Sequence, residues 1–205
     1  MPRRSILTVR QRASLFDLPT GEASILHHYT LSDHDIEIIR TRRHARNRLG
    51  FALQLCAFRY PGRLLVSGEV IPEAVSRFIA AQLGEEMDEL SHYAETDVTR
   101  RRHLVDLRQV YGFKMFSGHR ARELKAWLAG EAENATTNHD LACRFVDECR
   151  RTKTILPGIS VIERLCADAL VAAERWIDSA IVARLDEPLK ARLDALLTDM
   201  VDGKV

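Results

Sequence analysis

The chain reads as all-α: a multi-helix fold with helix-turn-helix-like elements. Three observations lead there. Apolar residues recur at i, i+3 and i+4 along most of the 205 residues. Residues that start and stop helices punctuate those runs. The strict apolar–polar alternation of half-buried strands is absent.

The elements follow in order. Thr8 is placed to cap a short helix through Phe16 that stops at Leu18-Pro19. Thr20 or Gly21 opens a second, carrying Ala23, Leu26 and His27. Ser32 caps a third, with Asp33 and Asp35 in its first turn, where the helix dipole favours negative charge, and with Ile36 and Ile39 turned inward. This helix gives way between Arg42 and Arg46 to one that runs to Tyr60 and ends at Pro61-Gly62. Pro72 opens a helix with Val75, Phe78, Ile79 and Leu83 on one face and Gly84 as its stop. Thr96 opens the next, closed by Gly112. Ser117 caps another, with Leu124, Trp127 and Leu128 as its stripe. Residues 133–138 are the best linker candidate, and Asn138 then starts a helix carrying Leu141, Phe145 and Cys149. Ser160-Val161-Ile162-Glu163 has the capping-box pattern and opens the longest helix, with Ile162, Leu165, Cys166, Ala169, Ala173, Trp176, Ile177 and Ala180 in register. Pro188 marks a final helix with Leu189, Leu193, Leu196 and Leu197. Two helical modules are expected, 1–133 and 138–205.

Composition narrows the class. Apolar content of 46% is ordinary for a globular protein, and no apolar run approaches the roughly 20 residues that span a bilayer. The start, Met1-Pro2-Arg3-Arg4, is basic but has no long apolar segment behind it, so a secretory signal and a membrane role are not expected. Cys56, Cys143, Cys149 and Cys166 are scattered in apolar helical patterns and read as small hydrophobes of a reducing, cytoplasmic setting.

The net charge of +1 conceals segregation. Residues 1–63 hold 11 basic and 5 acidic residues, and residues 99–125 hold 8 and 2, so each block carries +6. Between them, residues 64–98 carry −7. Such blocks form a local footprint for a polyanion even on a nearly neutral chain. Arg40 to Arg48 packs five arginines and no acid into nine residues, and an apolar run follows from Leu49 to Phe58. Arginine suits phosphate oxygens and guanine edges because its planar fork stays charged. Two readings stand side by side here, a solvated basic face and a nucleic-acid contact. In a helix-turn-helix, Arg46, Asn47 and Arg48 would occupy the N-terminus presented to the major groove. The body of that helix is apolar almost all round, with only Gln54 clearly polar, so it is expected as a core spine whose basic end grips phosphates. Asn47 either reaches a base edge or caps the helix. In the second block, Arg101, Arg102, Arg108 and Gln109 share a face, and Ser117 to Lys125 adds further cations.

Catalytic signals are weak. The chain has no CxxC, HExxH, P-loop or GxGxxG pattern. His27 and His28 are adjacent and diverge by about 100° on a helix, a poor arrangement for one metal.

Several stretches together resemble the N-terminal region of Tn-three-family transposases, the enzymes of replicative transposons. They are Leu7-Thr8, Gln11-Arg12, Leu15-Phe16 and Leu18-Pro19; Tyr29-Thr30-Leu31-Ser32; Asn47 through Cys56; Arg59-Tyr60-Pro61-Gly62-Arg63; Thr99-Arg100-Arg101; Leu156-Pro157; and Glu163-Arg164-Leu165. The resemblance implies a helical region that binds double-stranded DNA at the transposon's terminal inverted repeats. It implies catalysis far downstream, in an RNase-H-like domain whose Asp/Asp/Glu triad holds divalent metal. No such triad is matched here. The chain is therefore expected to bind DNA without catalysing strand transfer or needing a cofactor of its own, in the bacterial cytoplasm at the nucleoid. An alternative role is a helical interaction module of the transposase, serving its dimerisation or contact with its catalytic body. Charge and motif position together give the candidate DNA contacts: Arg10, Arg12, Arg40, Arg42, Arg43, Arg46, Asn47, Arg48, Arg59, Arg63, Arg100, Arg101, Arg102, Arg108, Lys114, Arg120 and Arg122.

Overall fold

The computed structural model describes residues 6–66, 68–87 and 97–202, with 97, 98 and 197–202 described by backbone alone. The order is α1 (Val9–Phe16), α2 (Glu22–Tyr29), α3 (Asp33–Arg40), α4 (Ala45–Arg59), α5 (Glu73–Leu83), α6 (Asp97–Tyr111), β1 (Lys114–Met115), α7 (Gly118–Ala132), α8 (Asn138–Arg151), β2 (Thr154–Ile155), α9 (Ile159–Arg184) and α10 (Glu187–Asp202). The fold is all-α, as expected. The two short strands form one parallel ladder, Lys114 against Thr154 and Met115 against Ile155.

Helix ends follow local chemistry. Thr8 and Ser32 each close a capping box, with Gln11 and Asp35 respectively. Gly84 takes φ +68° and ends α5 in the left-handed conformation that a side chain disfavours. Elsewhere the boundaries differ from those expected. Pro72 is the cap of α5, with Glu73 its first residue. Thr137, whose hydroxyl accepts the Asp140 N–H, caps α8 in place of Asn138. The capping box at Ser160 does not form: Gly158 precedes α9, and the Glu163 carboxylate is drawn instead to Arg12 and the Leu7 N–H. In α2 the buried positions are Ile25 and Tyr29, while Leu26 is exposed. That helix is set by the Tyr29 hydroxyl, which donates to the Tyr60 carbonyl at 2.9 Å. The expected start at Thr96 lies outside the described residues.

Burial divides into two cores. The first is built on α4, buried continuously from Leu49 to Phe58, with Ile25, Tyr29, Ile39, Val75, Ile79, Leu107 and Phe113 around it. A helix apolar on all sides has to be covered on all sides, and α2, α3, α5 and α6 supply the cover. The second core joins Leu7, Leu15, Leu124, Leu128, Leu141, Phe145, Cys149, Ile162 and Cys166. Residues 133–138 therefore connect α7 and α8 within one core rather than between two, and α1, from the start of the chain, packs in that same core. The cysteines are unpaired, and burial pushes the Cys56, Cys149 and Cys166 thiols up to about 12.

The turn after α4 binds the cores to each other. Gly62 has φ +104°, and a Cβ there would lie 3.3 Å from Arg150 Cγ. Its carbonyl accepts the Leu156 N–H at 2.8 Å. Arg150 Nε donates to the Pro61 carbonyl at 2.9 Å, and its guanidinium sits 4.6 Å from the Tyr60 ring centroid. His28 stacks on Tyr60 at 4.0 Å. The Tyr60–Pro61 peptide is cis.

Just before that turn, Arg59 makes a two-pronged contact with the buried carboxylate of Asp35, at 2.7 and 3.0 Å. Burial alone would raise the Asp35 pKa. Hydrogen bonds from Arg59 and Ser32, with the Arg59 charge, outweigh it and hold the group at about 2. Because the folded-state pKa is depressed, this stabilisation is complete above the unfolded value of 3.8 and is lost as pH falls towards about 2. Acid-titration melts of wild type and Asp35→Ala check this. The variant is expected to lose about 3 kcal/mol near neutral pH and to show a flatter stability curve between pH 3.8 and 2.

Candidate nucleic-acid interface

Ion pairing sorts the candidate cations. Arg12 holds Glu163 at 2.6 Å, Arg48 holds Glu85 at 2.6 Å and Arg59 holds Asp35. Arg63 holds Glu69 and donates to the Phe16 carbonyl at 2.6 Å. Arg42 pairs with Asp106 at 2.5 Å while lying 4.2 Å from the Phe51 ring centroid. Arg120 donates to the Thr154 hydroxyl at 2.9 Å and to Glu123 at 3.1 Å. Each of these guanidiniums meets a carboxylate, so each adds little net charge to a polyanion-binding surface. Arg59 and Arg63 in particular build the turn that joins the cores. A charge count does not show which cations are paired: Arg59 takes Asp35 from 24 residues back, and Arg63 takes Glu69 from six residues on.

The remaining candidates point outward. Arg10, Arg40, Arg43, Arg46, Arg101, Arg102, Arg108, Lys114 and Arg122 are exposed, and Arg100 is half-buried. Among the described residues none of these ten forms an ion pair.

The two basic blocks, more than fifty residues apart in sequence, meet at one cleft of about 580 Å³. One wall is the α3–α4 turn and the first turn of α4: Thr41, Arg42, Arg43, His44 and Asn47. The other is α6: Thr99, Arg102, His103 and Asp106. Packing explains the meeting. Leu107 and His103 of α6 are buried, and the His103 ring lies edge-on to Phe51 of α4 at 5.2 Å. Burial, with the nearby Arg42 charge, pushes the His103 pKa down to about 4, so the ring is neutral at neutral pH. Arg42 and Asp106 cancel one another. Arg43 and Arg102 remain as unmatched charges, beside the positive end of the α4 dipole. A phosphate group is the anion such a wall fits.

Asn47 stands in this wall but does not cap α4. The cap position is His44, with φ −119°, which places Asn47 third in the helix. The capping expectation is thereby corrected: the chain enters α4 three residues earlier than the Asn47 reading requires. Thr41, His44, Thr99, His103 and Asp106 were not among the candidates. A signal for the α6 set did exist, since 99, 102, 103 and 106 recur at one-turn spacing around an arginine already singled out. Among the described residues no group of three or more His, Cys, Asp or Glu is placed to hold a metal ion, and no helix is long and apolar enough to cross a membrane.

This is an all-α unit in which two unpaired arginines, Arg43 and Arg102, meet at one cleft beside a buried helix. Residues 6–169 match the family described as "Domain of unknown function (DUF4158)", and the chain belongs to that family. It is 40% identical over 205 residues to the transposase for transposon Tn3926 of Escherichia coli, covering 100% of this chain and 21% of that one. With the transposase for transposon Tn501 of Pseudomonas aeruginosa it shares 38% over 197 residues, covering 96% and 20%. With that for transposon Tn1546 of Enterococcus faecium it shares 33% over 196 residues, covering 95% and 20%. The chain thus spans about a fifth of the length of the curated relatives it matches, their N-terminal fifth, in line with the Tn-three-family resemblance of its motifs.

Two substitutions separate the roles of the cleft wall. Asn47→Ala is expected to change stability by less than about 0.5 kcal/mol, since no cap is removed. Arg42→Ala leaves Asp106 unmatched and is expected to cost about 1–3 kcal/mol. Thermal and urea melts of the two single variants check both values.

Proposed function

We propose that this chain binds double-stranded DNA in a sequence-specific manner at the terminal inverted repeats of a transposon, as the DNA-recognition part of a transposase. The observation that carries this reading is the meeting of the two basic blocks at one cleft, where Arg43 and Arg102 stay unpaired while Arg42 and Arg48 are neutralised by Asp106 and Glu85. The names of the relatives, transposases of several transposons, supply the kind of DNA. In a protein of their length, the metal-dependent strand-transfer chemistry implied by the family resemblance lies outside the matched fifth, and this part works as a binding element without a cofactor.

The division of labour follows charge rather than core. The proposed contacts lie within 1–133, and 138–205 supplies α8 and α9, against which α7 and α1 pack. The segment 1–133 by itself would lack most of its second core, so 138–205 orients the DNA-binding part as well as extending it.

A second reading concerns self-association, and one observation favours it. After Ala173 the stripe of α9 leaves the core: Trp176 is 60% exposed and Ile181 53%, and Leu196 of α10 is 61% exposed. An antiparallel pair of α9 helices crossing near Ser179 would cover this stripe and set Arg184 of one copy opposite Glu174 of the other. Sedimentation equilibrium tests it. A monomer–dimer equilibrium is expected in wild type and a monomer in the Trp176→Glu/Ile181→Glu variant; a wild type monomeric at high concentration contradicts it.

For DNA binding, the double variant Arg43→Glu/Arg46→Glu is expected to weaken binding to every duplex alike. Its log–log salt slope should flatten by about 0.9 for each phosphate that the variant no longer neutralises. Fluorescence anisotropy across a salt series measures both quantities. Unchanged affinity and slope in a folded variant would remove the α3–α4 turn from the binding surface.

A further inference from the structure

The two helices beside the cleft have opposite characters. The body of α4 is buried from Leu49 to Phe58 and has no face to offer. In contrast, α6 buries His103 and Leu107, half-buries Leu104 and Tyr111, and exposes Val110 and, opposite the buried side, Arg101, Arg102, Val105, Arg108 and Gln109. At about 100° per residue these five occupy one continuous sector of about 120°. Among the described side chains of α6 the one carboxylate, Asp106, is turned aside and held by Arg42. The outward sector is therefore cationic, polar and apolar without an acid.

We infer that α6, rather than α4, enters the major groove and reads base edges, while the α3–α4 turn grips the flanking backbone. This rests on the DNA-binding reading above. Three features support it. A helix with its side chains is about 10–12 Å across and fits a groove about 12 Å wide, provided that one long face is free. Only α6 of the two helices meets that condition. Its outward residues are of the types that discriminate base pairs: arginine for guanine O6 and N7, glutamine for adenine N6 and N7, and an aliphatic side chain for the thymine methyl. Finally, Arg102 belongs both to this face and to the cleft, so a duplex seated on α6 brings its backbone up to Arg43. The helix-turn-helix division of labour is kept, with the groove role moved to a helix remote in sequence from the turn.

The test is in vitro selection from randomised duplexes of about 30 base pairs with the purified chain, repeated with Arg108→Ala, Gln109→Ala, Gln109→Glu and Arg43→Ala. The three substituted positions are exposed, and matched melting curves establish that each variant is folded. Wild type is expected to enrich a motif. Arg108→Ala and Gln109→Ala should each lose preference at one or two adjacent positions, by about 5- to 100-fold. Gln109→Glu should shift the preference at its position towards cytosine, whose amino group a carboxylate accepts. Arg43→Ala should lower affinity for all sequences and leave the motif intact. A motif unchanged in the α6 variants, with affinity falling uniformly, overturns the assignment and makes α6 a backbone contact. Duplex binding without any enriched motif also overturns it. A wild-type chain that binds no duplex overturns the proposed function itself.

Discussion

Burial of α4 on every side governs the arrangement of this chain. A helix that is apolar around its whole circumference has to be enclosed, and the enclosure draws α2, α3, α5 and α6 onto it. Cations lie at both of its ends, and each must either find a carboxylate or project into solvent. At the C-terminal end they are matched: Arg59 by Asp35, and Arg63 by Glu69 and the Phe16 carbonyl. At the N-terminal end the outcome is divided. Arg42 and Arg48 are held by Asp106 and Glu85, and Arg43 and Arg46 project. One end of the helix thus locks the two cores together, and the other presents charge.

The same enclosure explains how two distant basic blocks become one surface. Leu107 and His103 seat α6 against Phe51, which turns the opposite side of α6 outward and brings Arg102 across from Arg43. The Arg42–Asp106 pair joins the two walls of the cleft through a charged contact and occupies the acid that would otherwise repel a phosphate. The fold-building arginines and the projecting ones are interleaved between 40 and 48, so this short stretch both contributes to the fold and presents free charge.

Much of the architecture was legible from local rules. The Thr8 and Ser32 caps, the Gly84 stop, the buried body of α4 and the all-helical class all follow from residues within one or two turns of each other. What local rules missed has a common cause, which is competition from distant partners. Glu163 has the sequence position of a capping-box glutamate but is taken by Arg12 and Leu7, more than 150 residues away. Arg59 sits among charges that count as a basic block, yet Asp35, 24 residues back on another helix, removes it from the free charge. The segment 133–138 has the composition of a linker, but its flanking helices share apolar stripes that pack against α9. Of the candidate site, the block from Arg40 to Arg48 and the triple arginine at 100–102 were legible as charge. Their convergence was not, because it depends on which face of α6 meets α4.

In the proposed function, the α3–α4 turn and the outer face of α6 form a single DNA-binding surface. Hydrogen–deuterium exchange of the chain, with and without a duplex carrying a transposon terminal repeat, tests it most directly. Protection gained on binding is expected on peptides covering 41–47 and 99–109. The C-terminal turn around Arg59 to Arg63 should stay unchanged. Protection absent from both segments in a chain that binds the duplex would contradict it.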